Sequence, residues 1–194
     1  MTSKTLIIYA HPHTKGHNGV ILENVKRLLK QRGEKTTIID LYKTQFNPVL
    51  SADELSTKYN TFVSKQTTRF QDLIKQSTHI IFIYPTWWQN VPAILKGFID
   101  KIFRDGFSAD FSKRIPTPLL KGKRAVLITT VGESKFVARC IFNSRSIKVL
   151  KKDVLELCGI RTKGFIITNA KKLDLKQKTR LKNYSLRAVN WLYK

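Results

Sequence analysis

A chain of 194 residues that is 42% apolar, 10% aromatic and 25% charged has the make-up of an ordinary folded domain. At this length about 70% of the unfolded chain's surface is buried on folding, so packing alone can hold a core; the two cysteines, Cys140 and Cys158, exclude a disulfide framework, and no Cys/His cluster has the spacing of a structural zinc site. Charge is the abnormal feature: the net value is +23, and residues 1–112 carry 15 basic and 9 acidic side chains whereas residues 113–194 carry 21 and 4. Such a field draws nucleic acid, an anionic membrane or a phosphorylated cofactor alike, and its plain alternative is a solvated lysine-rich surface.

The first apolar run, residues 6–10, is cut by His11-Pro12-His13 before it reaches the length of a signal-peptide core. No segment approaches the ~20 apolar residues of a membrane span, so a soluble, cytoplasmic protein is expected. Along the chain, five short runs rich in Ile and Val alternate with stretches of helical period. The runs are residues 5–10, 36–40, 79–84, 124–130 and 164–168. Strands that read as continuous apolar runs are covered on both faces, which points to a parallel sheet with helical crossovers. The first crossover places Ile21, Val25, Leu28 and Leu29 on one face and ends at Gly33. Further helices are expected at 53–76, at 91–103 with Pro92 in the first turn, at 146–157 ended by Gly159, and at 175–193. Segments 47–50 and 115–119 read as surface excursions. The economical fold is therefore one domain, residues 1–194: an α/β, flavodoxin-like three-layer sandwich whose five-stranded parallel sheet has the order 2-1-3-4-5.

In such sheets a ligand lies beyond the carboxyl ends of the strands, where the winding reverses, and that rule selects the loops after Ala10, Tyr84 and Thr130. The first loop runs into a helix N-terminus, a ready phosphate site, with Thr14 adding a hydroxyl, Gly16 allowing close backbone approach, and His11, His17 and Asn18 nearby. It has neither the GxGxxG of a dinucleotide loop nor a P-loop pattern, and its three histidines lack the carboxylate or thiol that would suggest metal. The second loop contains Pro85, Thr86, Trp87, Trp88 and Gln89. Adjacent residues at a strand end point different ways, so one tryptophan is expected to wall a planar heteroaromatic ring. Thr129, Thr130 and Gly132 of the third loop supply hydroxyls and a glycine for the ring's polar edge.

These segments resemble the flavodoxin-like NAD(P)H quinone oxidoreductases, a family that includes general NAD(P)H oxidoreductases and ancillary subunits of potassium efflux systems. The resemblance is carried by Tyr9-Ala10-His11-Pro12 with Asn18, by Asp40-Leu41-Tyr42 with Phe46-Asn47-Pro48-Val49-Leu50-Ser51, and by Pro85 and Trp88 with Val91-Pro92-Ala93-Ile94-Leu95-Lys96-Gly97; Thr129-Thr130 with Gly132 and Cys158-Gly159 extend it. It implies bound FMN or FAD, NAD(P)H as co-substrate, and ping-pong two-electron transfer to a quinone or similar acceptor, the flavin N5 carrying the hydride so that no protein residue is singled out as catalytic. By position, His11 and Asn18 belong with the flavin phosphates, residues 85–89 frame the ring, with Trp88 at the family's tryptophan position, and Thr129, Thr130 and Gly132 meet its pyrimidine edge. The chain departs from the family at Val131, which stands before a single glycine, at Phe136, where a tyrosine is usual, and at Ala109 and Phe111, where an aromatic pair is usual. A homodimer is implied, since a second subunit completes family sites and the aromatic segment 103–111 has little else to pack on. The alternative reading is a flavin-binding regulatory or ancillary subunit serving an acidic or membrane-associated partner. Nucleic acid is disfavoured because the lysine-rich helices at 146–157 and 174–187 lack interleaved aromatics apart from Tyr184.

Overall fold

The computed structural model describes residues 4–55, 62–112 and 114–194. Strands β1 (Lys4–Tyr9), β2 (Lys35–Asp40), β3 (His79–Pro85), β6 (Arg124–Thr130) and β7 (Arg161–Ile167) form one parallel sheet in the order β2-β1-β3-β6-β7, the expected winding. Between β3 and β6 the two-residue strands β4 (Ala109–Asp110) and β5 (Thr117–Pro118) pair antiparallel as a separate ribbon, of which only β5 falls within the expected excursion at 115–119.

Period-two alternation divides the sheet's side chains between two cores. Ile7, Tyr9, Ile81, Ile83, Val126 and Ile128 face helices α1 (His17–Gln31) and α5 (Leu175–Leu192). Leu6, Ile8, Ile80, Phe82, Ala125 and Leu127 face α2 (Lys65–Gln76), α3 (Ala93–Ile102) and the segment around α4 (Arg145–Lys148). Both faces are covered, which is why the central strands read as unbroken apolar runs.

Three expected elements are corrected. β7 starts three residues early because it is an edge strand, where exposed Arg161 and Lys163 can alternate with buried Thr162. The second crossover helix begins at Lys65, capped by Ser64 through the Thr67 amide; Asp53 and Glu54 lie in a turn instead, and residues 56–61 of the expected helix fall outside the described residues. The expected helix at 146–157 is α4 running into a π-wound stretch, Val149–Glu156, preceded by another, Val137–Ile141. Leu150 and Leu155 are buried five residues apart, the spacing that an i→i+5 winding puts on one side. Pro92 lies just outside α3 as its cap.

Segment 46–55 crosses α3 so closely that a Cβ on Gly97 would lie 2.1 Å from the Pro48 carbonyl oxygen. Lys101 of α3 fixes that crossing: its Nζ lies 2.8 Å from Glu54 Oε2 and donates to the carbonyls of Asn47 and Val49, each at 3.2 Å, with both charged side chains buried. Burial alone would raise the Glu54 carboxyl, but its bonds to Lys101 and Ser51 outweigh that and hold it below the usual range. Lys101→Met strands a buried carboxylate and is expected to cost about 3–5 kcal/mol near neutral pH. The deficit should narrow on acidification, because the wild-type pair loses its contribution as pH falls through the depressed Glu54 value whereas the mutant's stranded carboxyl is relieved by protonation. Denaturant melts of both proteins at neutral and mildly acidic pH check this.

Candidate active site at the carboxyl edge of the sheet

The loop after β1 folds back on α1. The Tyr9 hydroxyl donates to the His13 carbonyl at 2.8 Å, and His11 Nδ1 accepts from the His13 amide at 3.0 Å. Burial pushes the Tyr9 phenol well up, so it remains a donor, and holds the His11 imidazole below its usual range. Gly16, at φ 105°, stands at the N-cap of α1; no side chain caps the helix, and its first ladder bond is Val20 N–H to Gly16 O at 3.0 Å. The amides of the first turn thus keep the unpaired donors and positive dipole end of any helix start. A Cβ on Gly19 would lie 1.6 Å from the Thr14 carbonyl oxygen, so the loop rests directly on that turn.

Hydrogen bonds join this loop to the other two. Asn18, 3% exposed, donates from Nδ2 to Thr130 Oγ1 at 3.0 Å, while its Oδ1 is buried without a partner. Thr86 bonds Thr129 hydroxyl to hydroxyl at 2.8 Å, and its amide donates to the Thr130 carbonyl at 2.9 Å. Gln89 Nε2 donates to Glu133 Oε1, and the Trp87 ring lies 6.4 Å from that of His11. Twelve of the thirteen residues singled out from sequence stand on these three loops or strand ends as one neighbourhood. His17 turns outward, its Nε2 3.3 Å from the Lys172 carbonyl oxygen.

The two tryptophans take different places. Trp87 and Asn90 bond to each other through both amides, at 3.1 and 3.0 Å, which closes a two-residue turn with Trp88 at φ 50° and Gln89 at φ 59°. Trp88 is fully exposed at the tip; Trp87, 44% exposed, is the ring beside His11. Left-handed φ at a bulky residue costs of order 1–3 kcal/mol, and the Gln89–Glu133 bond is among the contacts that hold it. Val131 is accounted for by burial: its side chain enters the core while its amide donates to Ile167 and its carbonyl accepts from Ala170. Phe136 and Phe111 are exposed, whereas Ala109 and Phe107 are buried, so segment 103–111 packs largely on its own core.

Sequence reasoning missed Glu133, whose carboxylate ties loop three to loop two and whose carbonyl accepts from Asn169 at 2.8 Å. It also missed Lys15 and Lys43, which with His13, Thr14, Asp40 and Tyr42 help line a cleft of about 690 Å³ between the first loop and the end of β2. Asp40 and Tyr42 carried only the resemblance; two lysines in so basic a chain give no local signal.

An uncapped helix start, a buried acceptor without a partner on Asn18 and an indole beside them match a phosphate-bearing planar ligand, so the residues present fit a flavin. Residues 3–192 match the model of the flavodoxin-like fold family, to which the chain belongs. Its relatives include an uncharacterized NAD(P)H oxidoreductase of Haemophilus influenzae, 32% identical over 130 residues that span 66% of this chain and 64% of that protein. The human ribosyldihydronicotinamide dehydrogenase [quinone] is 29% identical over 179 residues, 81% of this chain and 78% of that protein. Among solved structures, Smu.1420 of Streptococcus mutans is 32% identical with TM-score 0.85, over 96% of this chain and 99% of that one. An FMN-dependent NADH-azoreductase of Bacillus anthracis, solved with FMN, shares the fold at 20% identity and TM-score 0.80, over 98% and 99%.

Gly19→Ala tests the first loop. Alanine is the better helix former by about 1 kcal/mol, yet the clash with Thr14 should reverse the sign and lower the melting temperature. A thermal melt that rises instead would show that the loop does not rest on α1.

Proposed function

We propose that the protein is a flavin-dependent NAD(P)H oxidoreductase that passes two electrons, in ping-pong order, to a quinone or similar acceptor. The observation that carries this reading is the joining of three strand-end loops, by Asn18–Thr130, Thr86–Thr129 and Gln89–Glu133, around an uncapped helix start and a tryptophan. The names of the relatives support the nicotinamide donor and the quinone, and the FMN of the fold-sharing azoreductase supports FMN over FAD. When bound, the flavin would supply the hydride chemistry, accepting from NAD(P)H and delivering to the acceptor.

The chain's residues would then bind and orient. First-turn amides of α1, with His11 and Thr14, would hold phosphate; Asn18 Oδ1 would accept from a ligand hydroxyl; Trp87 would wall the ring; and the amides of Gly132 and Glu133 would stabilise negative charge at its polar edge. Neither Phe136 nor Phe111 carries a proton to give, so the acceptor's protons would come from the donor and solvent. Trp88, exposed on a strained turn at the rim, suits a second copy of the chain, and the proposal includes a homodimer in which it covers part of the partner's site.

The purified protein should show the visible bands of an oxidised flavin, and NADPH should bleach them; a colourless protein that gains no bands with added FMN would refute the reading. Trp87→Ala should lower flavin retention by roughly tenfold, the scale of one aromatic stack at about 0.5–1.5 kcal/mol. Trp88→Ala should leave retention within about twofold and weaken dimerisation, read by sedimentation.

The donor's phosphate should matter too. Lys15 and Lys43 stand beside the site, and charge-assisted bonds to a 2′-phosphate contribute about 1.5–3 kcal/mol each, so NADPH should be preferred over NADH by at least tenfold in kcat/KM. A preference made by contact persists between about 0.02 and 0.5 M salt, and one made by long-range steering vanishes.

A further inference from the structure

The opposite edge of the sheet carries a pattern that the proposed activity does not use. In sheet order the five strands begin with Lys35, Lys4, His79, Arg124 and Arg161, so every strand opens on a basic residue. Parallel pairing sets these residues nearly level: Lys4 lies opposite Lys35, His79 opposite Arg124, and Arg124 opposite Arg161, with His79 one position along from Lys4. At about 4.8 Å between strands the row is roughly 19 Å long. The turns feeding the strands add Arg32, Lys121 and Lys123.

Three of the basic side chains here bond to neutral groups. Lys4 donates to Gln76 Oε1 at 3.4 Å, Arg32 to Asn190 Oδ1 at 2.6 Å, and Lys123 to the Lys75 and Ser77 carbonyls at 2.8 and 2.6 Å. Among the described residues the ion pairs are Lys26–Glu23, Lys96–Asp100, Lys101–Glu54 and Lys151–Glu156, none of them on this edge. Glu34 is the carboxylate in these turns, against the lysines and arginines named.

Two further observations choose the partner. The aromatic rings here are covered by the protein's own groups, Trp191 by Arg124 at 4.5 Å and Arg161 at 5.8 Å, and Tyr193 by Arg32 at 5.2 Å and the His79 ring at 4.5 Å. Their faces are not offered for stacking on bases, which sequence-tolerant binding of single strands relies on. Of the exposed large apolar side chains, none falls on a strand start and two, Leu119 and Leu157, fall on the stretches leading into β6 and β7, so apolar exposure is confined to one end of the edge and falls short of the apolar centre of a specific protein interface. A row of basic residues, four of them Lys or Arg and the fifth the half-buried His79, without free aromatic faces or an apolar centre matches a diffuse, planar polyanion. We propose that the amino edge of the sheet seats the protein on an anionic lipid surface, electrostatically and reversibly, with the three-loop site at the far end turned toward solution. No helix among the described residues is long and apolar enough to cross a membrane, which agrees with seating rather than insertion.

Co-sedimentation with phosphatidylcholine vesicles, with and without one third phosphatidylglycerol, tests this independently of any flavin. Binding to the anionic vesicles should exceed that to the neutral ones by at least tenfold at about 0.05 M salt and disappear near 0.5 M. The triple variant Lys4→Gln, Lys35→Gln, Arg161→Gln should bind at least tenfold more weakly. Removing the same charge from the exposed side of α5, by Lys176→Gln, Lys178→Gln and Lys182→Gln, should change binding by no more than about twofold. Should the first triple melt early, Lys35→Glu alone, at an exposed edge position, should still give a severalfold loss. Equal losses from the two triples, equal binding to both vesicles, or displacement from the vesicles by an equal charge of single-stranded DNA would each overturn the proposal, while bleaching of a bound flavin by NADPH would be unaffected.

Discussion

A parallel sheet buried on both faces has only its two ends to offer, and this constraint governs the rest of the molecule. The apolar runs of β1, β3 and β6 at the centre of the sheet are covered by helices α1 and α5 on one side and α2 and α3 on the other, while edge strand β2 exposes Thr37 and Ile38. Because all five strands run the same way, every carboxyl end opens at one edge and every amino end at the other. Unpaired strand-end groups, helix starts and loop side chains gather at the first edge; strand starts and helix ends gather at the second. Side-chain chemistry is thereby sorted by chain direction, with hydroxyls, amides and indole at one end and a row of basic side chains at the other.

At the carboxyl edge the pairing of β3 with β6 decides the geometry. Its last rungs set Tyr84 against Thr129 and Pro85 against Thr130, and the ladder's next bond is the Thr86 amide to Thr130. Two buried threonines at the end of β6 thus meet Thr86 on one side and Asn18 on the other, so the hydroxyls that end the sheet also join the loops. Buried polar groups of this kind cost stability unless paired, and here all but Asn18 Oδ1 among the four side chains have partners. One unsatisfied acceptor within an otherwise satisfied network, beside a helix start without a cap, marks where a ligand group would complete the set.

The layers, the sheet order and the three loops were legible in the sequence because each rests on a periodic or positional rule: apolar runs for covered strands, helical period for crossovers, strand ends for ligands. The failures share a different cause. Nothing local distinguishes Val149–Glu156 from an α-helix; in its π winding Leu150 and Leu155 are both buried in the same core cluster. The helix expected from Asp53 was lost to tertiary contacts, since Glu54 is committed to Lys101, which lies 47 positions away in the chain. Glu133 bonds to Gln89, 44 positions away, and Lys15 and Lys43 come to line one cleft only in the fold, so none of the three shows a motif. The basic strand starts were visible one by one, but only the register of the sheet aligns them into a row.

The two tryptophans show how a local conformation decides where neighbouring side chains are placed. Had residues 87–90 continued extended, the pleat would have sent Trp87 and Trp88 to opposite sides and left Trp88 at the position expected to wall the ring. The reciprocal Trp87–Asn90 bonds instead form a tight turn, and such a turn needs positive φ at both central residues. Asn-Gly would satisfy that requirement without strain, whereas Trp-Gln does so against the preference of both residues. Glu133 offsets the cost by holding Gln89, and Thr86 offsets it by fixing the strand end below the turn. A chain that keeps a fully exposed indole on a strained tip, when a glycine would relax it, is presenting that indole outward. The inner ring, Trp87, lies beside His11, and the outer ring, Trp88, stands fully exposed at the tip, so the turn and not the strand's pleat decides which indole faces the loops.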